Sequence, residues 1–166
     1  MLVGFESLVP PSRIWIYQAN RAWTSAEETA IQESLQVFCD QWSAHSHPLK
    51  TSFRLEYHRF LILGVDETSQ GASGCSIDGS VRVLKSLQDQ LHIDFFDRSR
   101  VAFLVEGKVN LVPLKELKSA FASGQLTPTH LVFNTQVTTK AEWDKSWILP
   151  AKNTWVSRYF LNPTVA

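Results

Sequence analysis

The sequence predicts an α+β protein: a ferredoxin-like split βαβ core (βαββαβ) with an added hairpin strand and a C-terminal helical and aromatic extension. Two unbroken apolar runs, residues 14–17 and 60–65, read as central strands buried on both faces. Two longer stretches repeat apolar residues at helical intervals. One holds Ile31, Leu35, Phe38, Cys39 and Trp42, and the other Ile77, Val81, Leu84, Leu87 and Leu91. Ahead of the second central run, Phe53, Leu55 and Tyr57 alternate with Arg54, Glu56 and His58, the pattern of an edge strand with one wet face.

The first strand covers residues 13–18. A helix is expected from Thr24 or Ser25, since Thr24 with Glu27 and Ser25 with Glu28 both have capping-box spacing, to near His45, ahead of Pro48. After the edge and central strands, the loop 66–75 leads into the second helix. Residues 101–105 form the last core strand, which Glu106-Gly107 turns back into 108–112. Pro113 suits the first turn of a further helix that Gly124 stops. Residues 131–133 are a short strand. Thr139 with Glu142 opens a helix that would place Trp143 and Trp147 on one face and end at Pro150, and the aromatic tail 155–160 is expected to dock on the body. The whole reads as a single domain over 1–166, with an irregular N-terminus to residue 12, a core over 13–112 and an extension over 113–166 packed on the core.

A chain of 166 residues, 44% hydrophobic and 19% charged, has a globular rather than a disordered composition. Sixteen basic residues balance sixteen acidic ones, so no global field draws the chain to nucleic acid or anionic membrane, and neither is expected as a partner. No apolar run nears the ~20 residues of a membrane span. The first residues lack a basic group ahead of their short apolar stretch and do not read as a signal peptide. Two cysteines, Cys39 and Cys75, do not make a disulfide framework and fit a reduced cytoplasm.

The stretch Gly71-Ala72-Ser73-Gly74-Cys75-Ser76-Ile77-Asp78-Gly79-Ser80 is the main functional signal. Small residues there leave backbone N–H groups free to meet a ligand, and Cys75 falls at a helix N-terminus. In the split βαβ arrangement the first and third strands are expected side by side and parallel. The two helix N-termini that follow them would then meet at one edge and form an anion pocket. That pocket would draw Gln18, Asn20 and Arg21 from one loop and Ser73, Gly74, Cys75 and Ser76 from the other. Asp66 and Asp78 would oppose an anion unless they point away; Arg82, four residues beyond Asp78, offers it a partner. The expected function is non-catalytic binding of a small anion or a protein partner at this turn. The alternatives are a thiol-dependent enzyme with Cys75 as nucleophile and a homo-oligomeric assembly module.

Each chemistry has a plainer reading beside it. A cysteine nucleophile wants a basic partner, and His45 and His92 are expected at the edge away from Cys75; the plainer reading is a small, mostly buried residue packing the turn. Ser73 lacks the G-x-S-x-G context, because Cys75 stands where the second glycine would. Gly74 and Gly79 have phosphate-loop spacing, but Ser80 and Val81 follow in place of lysine and a hydroxyl residue, which argues against nucleotide hydrolysis by that route. His45-Ser46-His47 has no Cys or Glu at ligand spacing, so neither metal nor cofactor is expected. Asp94-Phe95-Phe96-Asp97-Arg98 reads as a turn whose phenylalanines plug the core. Trp15 and Tyr17 share a face on which RNA bases could stack, yet residues 59–65 do not fit the RNP1 pattern and the C-terminal segments are expected to cover the sheet.

At Ile14-Trp15-Ile16-Tyr17-Gln18, residues 71–78, residues 94–98 and Val137-Thr138-Thr139-Lys140, the chain resembles a family of short bacterial proteins commonly labelled "ABC transporter ATPase". The resemblance runs from about Ile14 to Phe160. The label implies a Walker A lysine, a Walker B acid and a signature loop. Asp66 does follow an apolar strand, but the lysine and the signature loop are missing, so no catalytic role carries over to these residues. What the resemblance implies is a bacterial, cytoplasmic setting.

Overall fold

The computed structural model describes residues 1–160. Among them are four α-helices and three antiparallel sheets, and the chain divides into two compact units. One comprises residues 1–97 and 136–145; the other comprises 98–135 and, of the described residues, 146–160. No helix among the described residues is long and apolar enough to cross a membrane.

In the first unit, β1 (Arg13–Gln18) leads into α1 (Ser25–Gln41). Of the two available caps the chain uses Thr24: its Oγ1 accepts from Glu27 N–H at 3.2 Å, and the Glu27 carboxylate accepts from Thr24 N–H at 2.9 Å. The helix stops short of His45 because the chain turns at once into two short strands, β2 (Ser43–Ala44) and β3 (His47–Pro48). The residues joining them, His45 and Ser46, have φ of 50° and 65°, as a two-residue hairpin demands. β4 (Lys50–Glu56) and β5 (Phe60–Asp66) form a second hairpin, and α2 (Gly74–Leu91) follows. The sheet order is β1-β5-β4: the central strand is β5, buried along its whole length, and the alternating strand lies outside it. Leu2 bridges Thr51, so the N-terminus runs beside the start of β4.

The first and third strands are neighbours, as expected, but they run antiparallel. β5 is antiparallel to β4 as well, so β1 and β4 share a direction. The crossover through α1 sets that shared direction; the hairpin then reverses the chain and inserts β5 between the other two. Arg13 faces Val65 at one end of the pair and Gln18 faces Phe60 at the other. The sheet of this unit consists of these three strands, where a four-stranded ferredoxin-like sheet was expected. On the free side of β1, Ile14 N–H donates to Thr138 O at 2.8 Å, and the expected fourth core strand belongs to the other unit.

Both faces of this sheet are closed. Tyr17, Leu61, Leu63 and Val65 pack with Ile31 and Leu35 of α1 and Leu84 and Leu87 of α2. Across the sheet, Leu8 rests on Gly64, where an added Cβ would lie 2.6 Å from its Cδ1. Trp15 packs on Trp42 and Tyr17 edge-on to Phe96, so neither forms a stacking platform for bases. Phe95 is buried, as expected of a core plug. The buried stripe of α2 is Ser76, Ser80, Leu84 and Leu87 rather than the one begun by Ile77 and Val81, which are only half-buried.

The second unit begins with β6 (Arg100–Val105), which Glu106 and Gly107 turn into β7 (Lys108–Pro113); both turn residues have positive φ. Pro113 closes β7 instead of opening a helix. A 3-10 turn (Leu114–Glu116) then leads into α3 (Leu117–Ala122), and Gly124 at φ 78° ends the segment as expected. β8 (Leu131–Phe133) follows. The chain next returns to the first unit as α4 (Lys140–Ser146), then comes back as β9 (Ile148–Pro150), completing a sheet ordered β7-β6-β8-β9. α4 ends before Trp147, so the two tryptophans do not share a helix face: Trp143 meets Phe5 at 5.6 Å in the first unit, and Trp147 meets Phe133 at 5.3 Å in the second. The aromatic tail does dock, with Val156 buried and Phe160 4.6 Å from Phe121.

Candidate anion site at the start of α2

The antiparallel pairing of β1 and β5 separates the two halves of the pocket expected from the sequence. The loop after β1 lies at the far end of α2. Arg21 Nη2 donates to Leu91 O, in the last turn of α2, at 3.0 Å. Cys75 lies in the first turn of the same 18-residue helix, about 24 Å away along the axis. Asn20 exchanges bonds with Asp94 at 2.9 Å in both directions, and Gln18 O accepts from Asp97 N–H at 3.3 Å. Arg21 also grips Glu27 with both Nη atoms, at 3.0 and 2.8 Å, and holds its carboxyl down at about 2. Gln18, Asn20 and Arg21 therefore tie the loop after β1 to the start of α1 and the end of α2, and they do not converge with Ser73, Gly74, Cys75 and Ser76.

The other half is intact. Ser73 is the N-cap of α2, with φ −95° and ψ 165°. Its Oγ accepts from Ser76 N–H at 3.1 Å, and Ser76 Oγ accepts from Ser73 N–H at 2.7 Å, a capping box built from two serines. Ile77 N–H takes Ser73 O at 3.0 Å. Gly74 and Cys75, the first two helical residues, are exposed, and their N–H groups have no partner among the described residues. No glycine of this stretch has positive φ, and a Cβ at Gly74 would meet nothing within 4 Å. Gly74 is thus not needed for the turn; it leaves open space over the amides.

The nearby carboxylates are held by their own loop. Asp66 Oδ1 accepts from the Thr68 hydroxyl at 2.6 Å and from Thr68 N–H at 3.0 Å, with Lys50 Nζ 3.7 Å from Oδ2; the Thr68 bonds first, then Lys50, hold its carboxyl below the usual range. Glu67 Oε2 accepts from Ala72 N–H at 2.8 Å. Asp78 is exposed and forms no ion pair with Arg82 among the described residues, so the expected i,i+4 contact is not made. The first turn is also braced from behind, where Trp42 Nε1 donates to Ser76 O at 2.8 Å. That contact and Lys50 were not legible in the sequence. Their only signals are an indole just past a helix end and a lysine at the start of the strand paired with Asp66.

Cys75 is exposed, against the plainer reading of a buried turn residue. Cys39 is fully buried, and burial pushes its thiol up to about 12, which makes it inert. His45 sits in the β2–β3 hairpin that follows Trp42, on the Cys75 end of the unit rather than away from it; His92 caps the far end of α2, as expected. Among the described residues no three His, Cys, Asp or Glu side chains are grouped to hold a metal. Comparison with family models, with curated proteins and with solved structures gives no match.

Proposed function

We propose that the chain is a non-catalytic binding module that takes a small anion, such as a phosphate or carboxylate group, on the first turn of α2. The observation that carries this reading is the pair of exposed amides at Gly74 and Cys75, unpartnered among the described residues, on a capped helix of 18 residues whose neighbouring carboxylates Asp66 and Glu67 are turned onto their own loop. Such a terminus offers N–H donors and partial positive charge to an anion, and a serine capping box fixes their direction. The resemblance to the bacterial family adds a cytoplasmic setting to the proposal.

Inorganic phosphate should slow iodoacetamide alkylation of Cys75 saturably, at constant ionic strength set with chloride. Cys75→Ser should bind phosphate by calorimetry as the parent does, since the backbone and not the sulfur makes the contact. Alkylation indifferent to phosphate would overturn the proposal. Loss of phosphate binding in Cys75→Ser would instead favour the reading in which the thiol is the working group.

A further inference from the structure

We propose that the second unit holds a site for a small organic amine, in the groove between the β6–β7 hairpin and α3. The groove encloses about 300 Å³, the low end of the range for ligand pockets. Val105, Val112 and Leu126 supply apolar side chains to its lining. The register explains this: Val101 faces Val112 and Phe103 faces Asn110, so 101, 103, 105, 110 and 112 share the sheet face on which Leu117 and Ala120 of α3 pack.

Asn110, Glu116, Gln125 and His130 line the same groove. The side chains of Asn110, Glu116 and Gln125 have no partner among the described residues. His130 Nδ1 accepts from Thr127 N–H at 2.8 Å, which places the neutral ring's proton on Nε2 and makes that edge a donor. Glu116 is the only formal charge in the lining, which contains neither lysine nor arginine. An anion would meet that carboxylate with no cation to offset it. A wholly apolar guest would strip water from three polar groups and return nothing. An ammonium against Glu116, carried on a compact apolar body over the valines, satisfies both demands, and the two amides take any further polar atoms.

The test is amide NMR of the full chain titrated with benzylamine, benzyl alcohol and benzoate. Benzylamine should give saturable shifts confined to the groove residues; benzyl alcohol should bind about tenfold more weakly, and benzoate not at all. Glu116 is exposed and its side chain caps nothing, so Glu116→Gln should keep the fold and lower benzylamine affinity about tenfold. Equal binding of the three probes, an unchanged affinity in Glu116→Gln, or no saturable shift with benzylamine would each overturn the assignment.

Discussion

Replacing Gly74 with proline separates the free amide of α2 from everything that holds the fold. Proline fixes φ near the helical value and removes the N–H, and both suit the first position of a helix. That N–H makes no hydrogen bond among the described residues, so none is lost. The preceding residue, Ser73, already has φ −95° and ψ 165°, inside the region that proline imposes on its neighbour. A Cβ at this position meets nothing within 4 Å. With no native-state penalty, the loss of unfolded-chain freedom should dominate, and because glycine has the most freedom to lose the gain should be about 1 kcal/mol. With a urea m-value of about 2 kcal/mol/M, the unfolding midpoint by circular dichroism should rise ~0.5 M. Phosphate affinity should meanwhile fall about tenfold, the worth of one of two exposed donors to a charged acceptor. Gly74→Pro with a midpoint lower than the parent's would refute the geometry, because it would mean that the amide is bonded or the turn is not open. A stabilised variant with unchanged phosphate affinity would refute the site while leaving the fold standing.

Glu27→Gln keeps a capping side chain but loses the charge facing Arg21; the pair is 19% and 41% exposed, so the loss near neutral pH should be about 1 kcal/mol. Arg21 lowers the Glu27 carboxyl from 4.5 to about 2, so its stabilisation is complete above the unfolded value and disappears as pH falls through the folded one. Parent and variant urea curves should accordingly differ at pH 6 and converge near pH 2; a gap that persists undiminished at pH 2 would assign the loss to something other than charge. Gly64→Ala pushes a methyl to within 2.6 Å of Leu8 Cδ1 and 3.1 Å of Ile14 Cδ1 and should cost about 1–3 kcal/mol in the same assay; a neutral result would mean that the N-terminal segment does not lie on that face. A thiol-specific chromogenic disulfide should count one reactive cysteine in the native chain, Cys75, and two in denaturant, when Cys39 is exposed. Two reactive thiols in the native state would contradict the buried position of Cys39.

Local signals in the sequence were reliable where one turn or one helix end decides the outcome. Thr24 with Glu27, the Glu106–Gly107 turn and the Gly124 stop are all contacts within a few residues, and β5 is buried as its unbroken apolar run requires. The direction of β1 against β5 depends on where a hairpin inserts, and no residue within either strand encodes that. Consequently Gln18, Asn20 and Arg21 were readable as a polar loop, while their distance from Cys75 was not. The stripe on α2 misled for a different reason. Ser76 and Ser80 are buried because Trp42 and the end of α1 close over the first turns, and small polar residues carry no hydropathy signal. The exposure of Cys75 follows from the same rotation of the helix.

The most direct test is a phosphate titration of the uniformly labelled chain followed by amide NMR, with chloride holding ionic strength constant. The N–H resonances of Gly74 and Cys75 should move together and saturate while those of Asn20 and Arg21, at the other end of α2, stay in place. Concerted movement of all four, or stillness at Gly74 and Cys75, would contradict a site confined to the first turn of that helix.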